Sequence, residues 1–186
     1  EMQKSRPSDS FEVIVRLDTP GDEGIRDYQI NHLSGTPNNL SLNSLNLDLI
    51  KTFSETHFHS QAINLGDFFE RYKSTSVEEQ TMFVLWGHGE GFSYQSHAQF
   101  GGVSLDNFPK SKLTITEIKN VCQTIQAHNS QIDLMIMDAC LMQTLESAFE
   151  LKNTVKNYIA STQIQDFNGL PYTELLKFMG SELSRS

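Results

Sequence analysis

The chain has 186 residues, 38% of them hydrophobic and 20% charged, and a formal net charge of -9. That length and composition suit one soluble globular domain with a real core, and exclude a disordered or fibrous chain. The acidic balance argues against nucleic acid or an anionic membrane as main partner, and no apolar run is long enough for a membrane-spanning helix.

Two cysteines, Cys122 and Cys140, are too few for a disulfide framework. No signal peptide is present, but the chain opens Glu1-Met2-Gln3 rather than at an initiator Met and so reads as a fragment or processed product. No composition break marks an internal linker, and residues 1–186 are expected to form a single domain.

Residues 1–10 are polar and read as irregular. Phe11 to Leu17 alternates and is β-branched, which predicts a strand. Asp18 to Gly24 reads as a turn, and Asp27 to Leu33 as the hairpin partner. Residues 35–60, rich in Asn, Ser and Leu, fit a long loop or two short helices. A helix is expected from Asn64-Leu65-Gly66-Asp67, with Phe68, Phe69 and Tyr72 on its apolar face.

Thr81 to Trp86 is a continuous apolar run, as in a strand buried on both faces. It ends in Gly87-His88-Gly89-Glu90-Gly91. A short strand fits Gly102 to Leu105. Thr114 or Thr116 caps a helix to about His128, whose buried stripe is Ile115, Ile118, Cys122 and Ile125. Ile132 to Met137 is a second buried strand, ending at Asp138-Ala139-Cys140. A helix from Met142 to Leu151, with Leu145, Ala148 and Phe149 inward, a third strand at Tyr158 to Ser161 and a last helix from Tyr172 complete the chain. This alternation predicts an α/β fold, with a mostly parallel sheet and helices on its faces.

Sites in such sheets form beyond the carboxyl ends of strands. Here one strand delivers His88 between glycines, and another delivers Cys140 ahead of a helix. A cysteine attacks as its thiolate, which a helix N-terminus and a nearby imidazole both favour. The glycines allow close backbone approach, and N–H groups of Gly89 and Cys140 are candidate oxyanion donors. Cys140 lies 52 residues after His88, close to the caspase spacing, although the caspase cysteine signature is absent.

Leu85-Trp86-Gly87-His88-Gly89-Glu90-Gly91-Phe92 resembles the histidine motif of clostripain-like peptidases, and Met137-Asp138-Ala139-Cys140-Leu141-Met142 with Glu146 to Leu151 resembles their cysteine motif. Val13 to Asp18, Asn64 to Asp67 and Gly169 to Tyr172 are also similar to that family, so the resemblance spans most of residues 11–178. It implies a caspase-like three-layer α/β sandwich, with a mostly parallel central sheet and helices on both faces. It also implies a cysteine endopeptidase cleaving peptides or proteins after Arg or Lys, without nucleic-acid or membrane partners.

By matching position, Cys140 is the nucleophile, His88 the base and Asp138 a carboxyl of the substrate pocket. Asp166 is the nearest second acidic candidate, although Ser161-Thr162-Gln163 is less acidic than the family pattern. No residue orienting His88 is identifiable, so a Cys-His dyad is expected. The family's first strand and its later part have no counterpart here, consistent with an excised core. The resemblance also implies a bacterial source, with secretion favoured over other compartments. Self-cleavage after Lys110 or Lys112 is a further implication, against a plain solubilising patch.

The other candidates read as structural. Cys122 lies on the helix stripe, and Trp86 and the phenylalanines are expected in the core. His57-Phe58-His59 lacks further ligands and reads as surface, so no metal is predicted. Some relatives use calcium, but the carboxylates between Asp18 and Asp27 lack calcium-loop spacing, so no cofactor site is predicted. Two rivals to the peptidase are an inactive or latent peptidase-like binding module and another thiol enzyme such as an amidase or acyltransferase.

Overall fold

The structure, a computed structural model, describes residues 11–18, 24–30, 47–54, 61–73, 79–91, 102–104, 112–127, 132–166 and 169–183. The expected features at residues 1–10, at His57 and His59, at Lys110 and within the 19–23 turn lie outside those residues. The chain divides into two compact units, Glu1–Glu55 with Leu170–Ser186, and Thr56–Gly169.

In the first unit, β1 (Ile14–Asp18), β2 (Ile25–Ile30) and β3 (Leu47–Phe53) form an antiparallel meander, and α4 (Tyr172–Leu183) completes the unit. The expected hairpin of the first two strands is present, Ile14 facing Gln29 and Asp18 facing Ile25. A buried ion pair crosses it. Arg16 donates from Nε and Nη2 to the two carboxyl oxygens of Asp27 at 2.6 and 2.7 Å, and its guanidinium lies 4.9 Å from the Phe53 ring centre. β3 falls where the sequence suggested loop or helix. Among its described side chains Leu49 and Ile50 are exposed and Phe53 alone is buried, so pairing with β2 more than burial holds it, and it leaves no alternating signal.

The second unit holds a parallel sheet in the order β4 (Met82–Trp86), β8 (Ile132–Asp138), β9 (Val155–Ala160). A small antiparallel sheet of β5 (His88–Gly89), β6 (Gly102–Ser104) and β7 (Lys112–Thr114) follows β4. The architecture is therefore mixed α/β: among the described residues the expected parallel sheet is present as β4-β8-β9, accompanied by antiparallel sheets. β4 alternates: Phe83 and Leu85 are buried, Met82 and Val84 only partly so, and Trp86 is exposed, unlike the expected strand buried on both faces.

Strand register sets the core. Phe83 pairs with Met135 and Met135 with Tyr158; Leu85 pairs with Met137 and Met137 with Ala160. Paired residues share a face, and these pack with Leu65, Phe69, Ile118, Cys122 and Leu151. α1 (Gln61–Tyr72) packs on α2 (Ile115–Ala127), and α2 on α3 (Leu145–Leu151), so the three helices make one layer against that face. Among the described residues of this unit, none of its helices covers the other face.

The α2 stripe is as the periodicity predicts, with Ile115, Ile118, Cys122 and Ile125 all buried. Thr114 caps it: its Oγ1 accepts from the Glu117 N–H at 3.2 Å, while the Glu117 carboxyl accepts from the Thr114 N–H at 2.8 Å. α3 starts three residues later than the sequence suggests, because Thr144 supplies its N-cap, accepting from the Ser147 N–H. That shift changes its inward face. Ser147 and Leu151 are buried, whereas Leu145 and Phe149, expected inward, are exposed.

At the N-terminal ends of the parallel strands, Asp133 gathers Lys156 at 2.6 Å and the Thr81 N–H at 2.8 Å. Partial burial works against its ionisation, but the Lys156 and Thr81 donors prevail and hold its carboxyl below the usual value. The stability this contributes is present above the unfolded carboxyl value and is lost as pH falls through the lowered folded value. Asp133→Asn should therefore melt below the wild type at neutral pH, with the gap closing on acidification. Parallel thermal melts across an acid series measure it.

Candidate active site

Trp86 and Asp138 face each other at the carboxyl ends of β4 and β8, so both chains leave the sheet at the same level. The Gly87 N–H donates to the Asp138 carbonyl at 3.3 Å and extends the pairing by one residue. From there each chain turns, and the two turns lie against each other.

Gly89 carries the closest approach. A Cβ there would stand 2.8 Å from the Cys140 nitrogen and overlap its carbonyl oxygen. Gly91, at φ +62°, is likewise seated on Leu141, whose carbonyl oxygen a Cβ would meet at 2.9 Å. Both positions require glycine, the second also for its left-handed backbone. The strand carrying His88 is thus pressed on the backbone of Cys140. His88 itself is exposed and Cys140 is half-buried. The two candidate oxyanion donors, Gly89 and Cys140, belong to this one backbone contact.

The Cys140 turn is tied down on its other side. Leu141 sits at φ 59°, a left-handed conformation that costs a branched residue about 1–2 kcal/mol. The Leu141 N–H donates to the Gln163 carbonyl at 3.1 Å and the Gln143 N–H to the Ser161 carbonyl at 2.9 Å. Tyr158 donates from its hydroxyl to the Met142 carbonyl at 2.7 Å, and burial pushes its phenol well above the usual value. These bonds hold the strained turn in place.

The expected helix N-terminus at Cys140 is not there, since α3 is capped four residues later at Thr144. Instead the Gln165 N–H donates to the Cys140 sulfur at 3.3 Å, and the Gln165 carbonyl lies 4.0 Å from that sulfur. Sequence reasoning missed Gln165. Its position follows from the path of the loop after β9, for which no local pattern signals.

Asp138 is buried, only 3% exposed, and Asp166 is exposed. Gly169 links them: its N–H donates to the Asp166 carbonyl at 2.9 Å, and a Cβ on it would overlap the Asp138 carboxyl. Trp86, expected in the core, is 56% exposed beside Asp138. It stands at the last paired position of its strand, on the face away from the helical layer. Cys122, in contrast, is 1% exposed in the core, as its spacing predicts. Among the described residues no cluster of His, Cys, Asp or Glu has the makings of a metal site.

The sequence matches the profile of the clostripain family, peptidase group C11, over residues 1–185. The chain belongs to the clostripain family. Its fold is similar to a secreted C11 cysteine protease from Bacteroides thetaiotaomicron, "iotapain" (TM-score 0.68, 15% identity), over 96% of this chain and 50% of that one. A secreted C11 cysteine protease of the same organism, in complex with an irreversible peptide inhibitor, matches with TM-score 0.65 and 17% identity, over 94% of this chain and 46% of that chain. An inactive zymogen C11 protease from Parabacteroides distasonis matches with TM-score 0.62 and 17% identity, over 96% and 46%. This clostripain-family chain thus spans about half the length of those solved proteins. No curated protein matches it.

The two thiols differ sharply in environment. Burial pushes the Cys122 thiol up to about 12, so it stays protonated at mildly alkaline pH. Iodoacetamide at pH ~8 should alkylate one thiol of the native clostripain-family chain, at Cys140, and both after denaturation. Mass spectrometry of the alkylated peptides reads the outcome, and native modification of Cys122 would contradict it.

Proposed function

We propose that this protein is a cysteine endopeptidase that cleaves peptide bonds after Arg or Lys, with Cys140 and His88 as a catalytic dyad. The observation that carries this reading is the seating of Gly89 on the Cys140 backbone, which joins the family's two reactive motifs at one sheet edge. Membership of the clostripain family supports it, as does the peptide inhibitor bound by one of the similar structures.

The chemistry is acyl transfer. The Cys140 sulfur, as thiolate, attacks the carbonyl carbon of the scissile bond, and the negative charge moves to the carbonyl oxygen. N–H groups of Gly89 and Cys140 face that oxyanion. Collapse of the tetrahedral intermediate breaks the C–N bond, and His88 delivers the proton that the leaving amine needs. Water, deprotonated by His88, then attacks the thioester, releases the carboxylic acid and restores the thiol. Asp138, two residues before the nucleophile, meets the basic side chain preceding the scissile bond (P1), and Asp166 adds a second acidic group from the loop after β9.

A second reading is a latent or inactive form. It is favoured by the Gln165 backbone on the Cys140 sulfur and by the 3% exposure of Asp138. In it the loop after β9 must shift before a substrate carbonyl reaches the thiol.

Fluorogenic peptides ending in Arg, Lys or Asp before the reporter separate these readings. The peptidase should release reporter after Arg and Lys but not Asp, Cys140→Ala and His88→Ala should abolish release, and Asp138→Asn should raise KM for both basic peptides. Gly89→Ala should lower turnover about 10²-fold, because its methyl group forces the two turns apart. A folded protein that releases nothing from any peptide, yet is alkylated at Cys140, supports the latent form. Release from small amides or esters alone would mark another thiol enzyme.

A further inference from the structure

The chain has one tryptophan, Trp86, and it stands exposed at the edge of the candidate site. A large indole left 56% in water is uncommon in a described segment whose neighbours Leu85 and Phe83 are buried. Strand register explains its direction. Trp86 pairs with Asp138, and paired residues of adjacent parallel strands project from the same face about 4.8 Å apart.

Gly169 closes the third side. A Cβ at that position would stand 3.1 Å from the indole Nε1 and 3.3 Å from the Asp138 Cγ, and its φ of +69° also demands glycine. An indole, a carboxyl group and a bare stretch of backbone therefore converge two residues before Cys140. The carboxyl is nearly inaccessible while the indole beside it is open. Among the described residues, the indole has no hydrogen bond and no ring or cation contact. Of the two side chains, the indole is the one that solvent reaches.

We infer that Trp86 is a specificity-determining residue, a cation–π wall for the P1 side chain that favours Arg over Lys. The inference rests on the peptidase reading above and deepens it. A guanidinium is planar and weakly hydrated, so it stacks on an indole face while keeping its edge donors for the Asp138 carboxyl. An ammonium is compact and strongly hydrated, and gains less from the same wall. The indole contributes binding and orientation of the side chain, not proton transfer.

Peptides identical except for Arg, Lys, citrulline or norleucine at P1 test this with the wild type, Trp86→Phe and Trp86→Ala. Trp86→Ala should raise KM for the Arg peptide about three- to tenfold and bring the Arg-to-Lys ratio of kcat/KM towards one, while Trp86→Phe keeps most of the preference. Citrulline, with similar shape and no charge, should lose the advantage. A merely structural role would instead lower kcat for all four peptides alike and slow iodoacetamide alkylation of Cys140.

Because Trp86 is the sole tryptophan, its fluorescence reads binding without turnover. In Cys140→Ala, the Arg peptide should change that fluorescence saturably and the norleucine peptide should not. An unchanged Arg-to-Lys ratio in Trp86→Ala, with silent fluorescence, overturns the inference even where the wild type cleaves the Arg peptide. A wild type that cleaves after neither Arg nor Lys sinks the peptidase reading instead. The fluorescence then decides the pocket alone: a saturable response to the Arg peptide keeps it, and silence ends it.

Discussion

The contact between Gly89 and the Cys140 backbone is the constraint on which the candidate site depends. Parallel pairing of β4 with β8 brings Trp86 opposite Asp138, so the next residues of both chains must turn at the same level. Two turns can leave adjacent strands and stay in contact only if one has no side chains at the meeting points. Gly89 and Gly91 meet that condition. A methyl group at either would push the histidine-bearing strand off the cysteine-bearing turn, whatever the chemistry of His88 and Cys140.

The cysteine turn is held from the other side by the backbone of the loop after β9 and by the Tyr158 hydroxyl. The loop after β9 accepts from the N–H groups of Leu141 and Gln143, and returns the Gln165 N–H to the Cys140 sulfur. The donor at the Cys140 sulfur is therefore this backbone N–H and not a helix end, since α3 is capped only at Thr144. The same loop ends at Gly169, against Asp138 and Trp86. One segment therefore touches both the Cys140 thiol and the buried Asp138 carboxyl, which couples the geometry of one to that of the other.

Burial separates the two cysteines. Cys122 lies within the α2 stripe among Ile118, Ile125 and the sheet residues, and desolvation keeps its thiol protonated. Cys140 lies at a strand end, half-buried, with a hydrogen-bond donor on its sulfur. The difference is one of place in the fold, not of neighbouring residue types.

Local pattern by itself determined the family, the order of the parallel strands and of the helices among them in the Thr56–Gly169 unit, and the α2 stripe, because each is written in periodicity or in a contiguous motif. The glycines flanking His88 likewise signal a close backbone approach, since a run of three alternating glycines leaves that turn almost bare of side chains. Other features depended on partners distant in the chain, and only the tertiary structure decided them. β3 is held by pairing to β2, so its exposed Leu49 and Ile50 carry no alternating signal. The start of α3 is set by the Thr144 cap, which turns Leu145 and Phe149 outward. Trp86 reads as core because it ends an apolar run, but a strand's last residue faces whatever the neighbouring strand leaves open, here the space beside Asp138. Gln165 carries no local signal at all, since a backbone N–H reaches a sulfur 25 residues away only once the intervening strand has folded back.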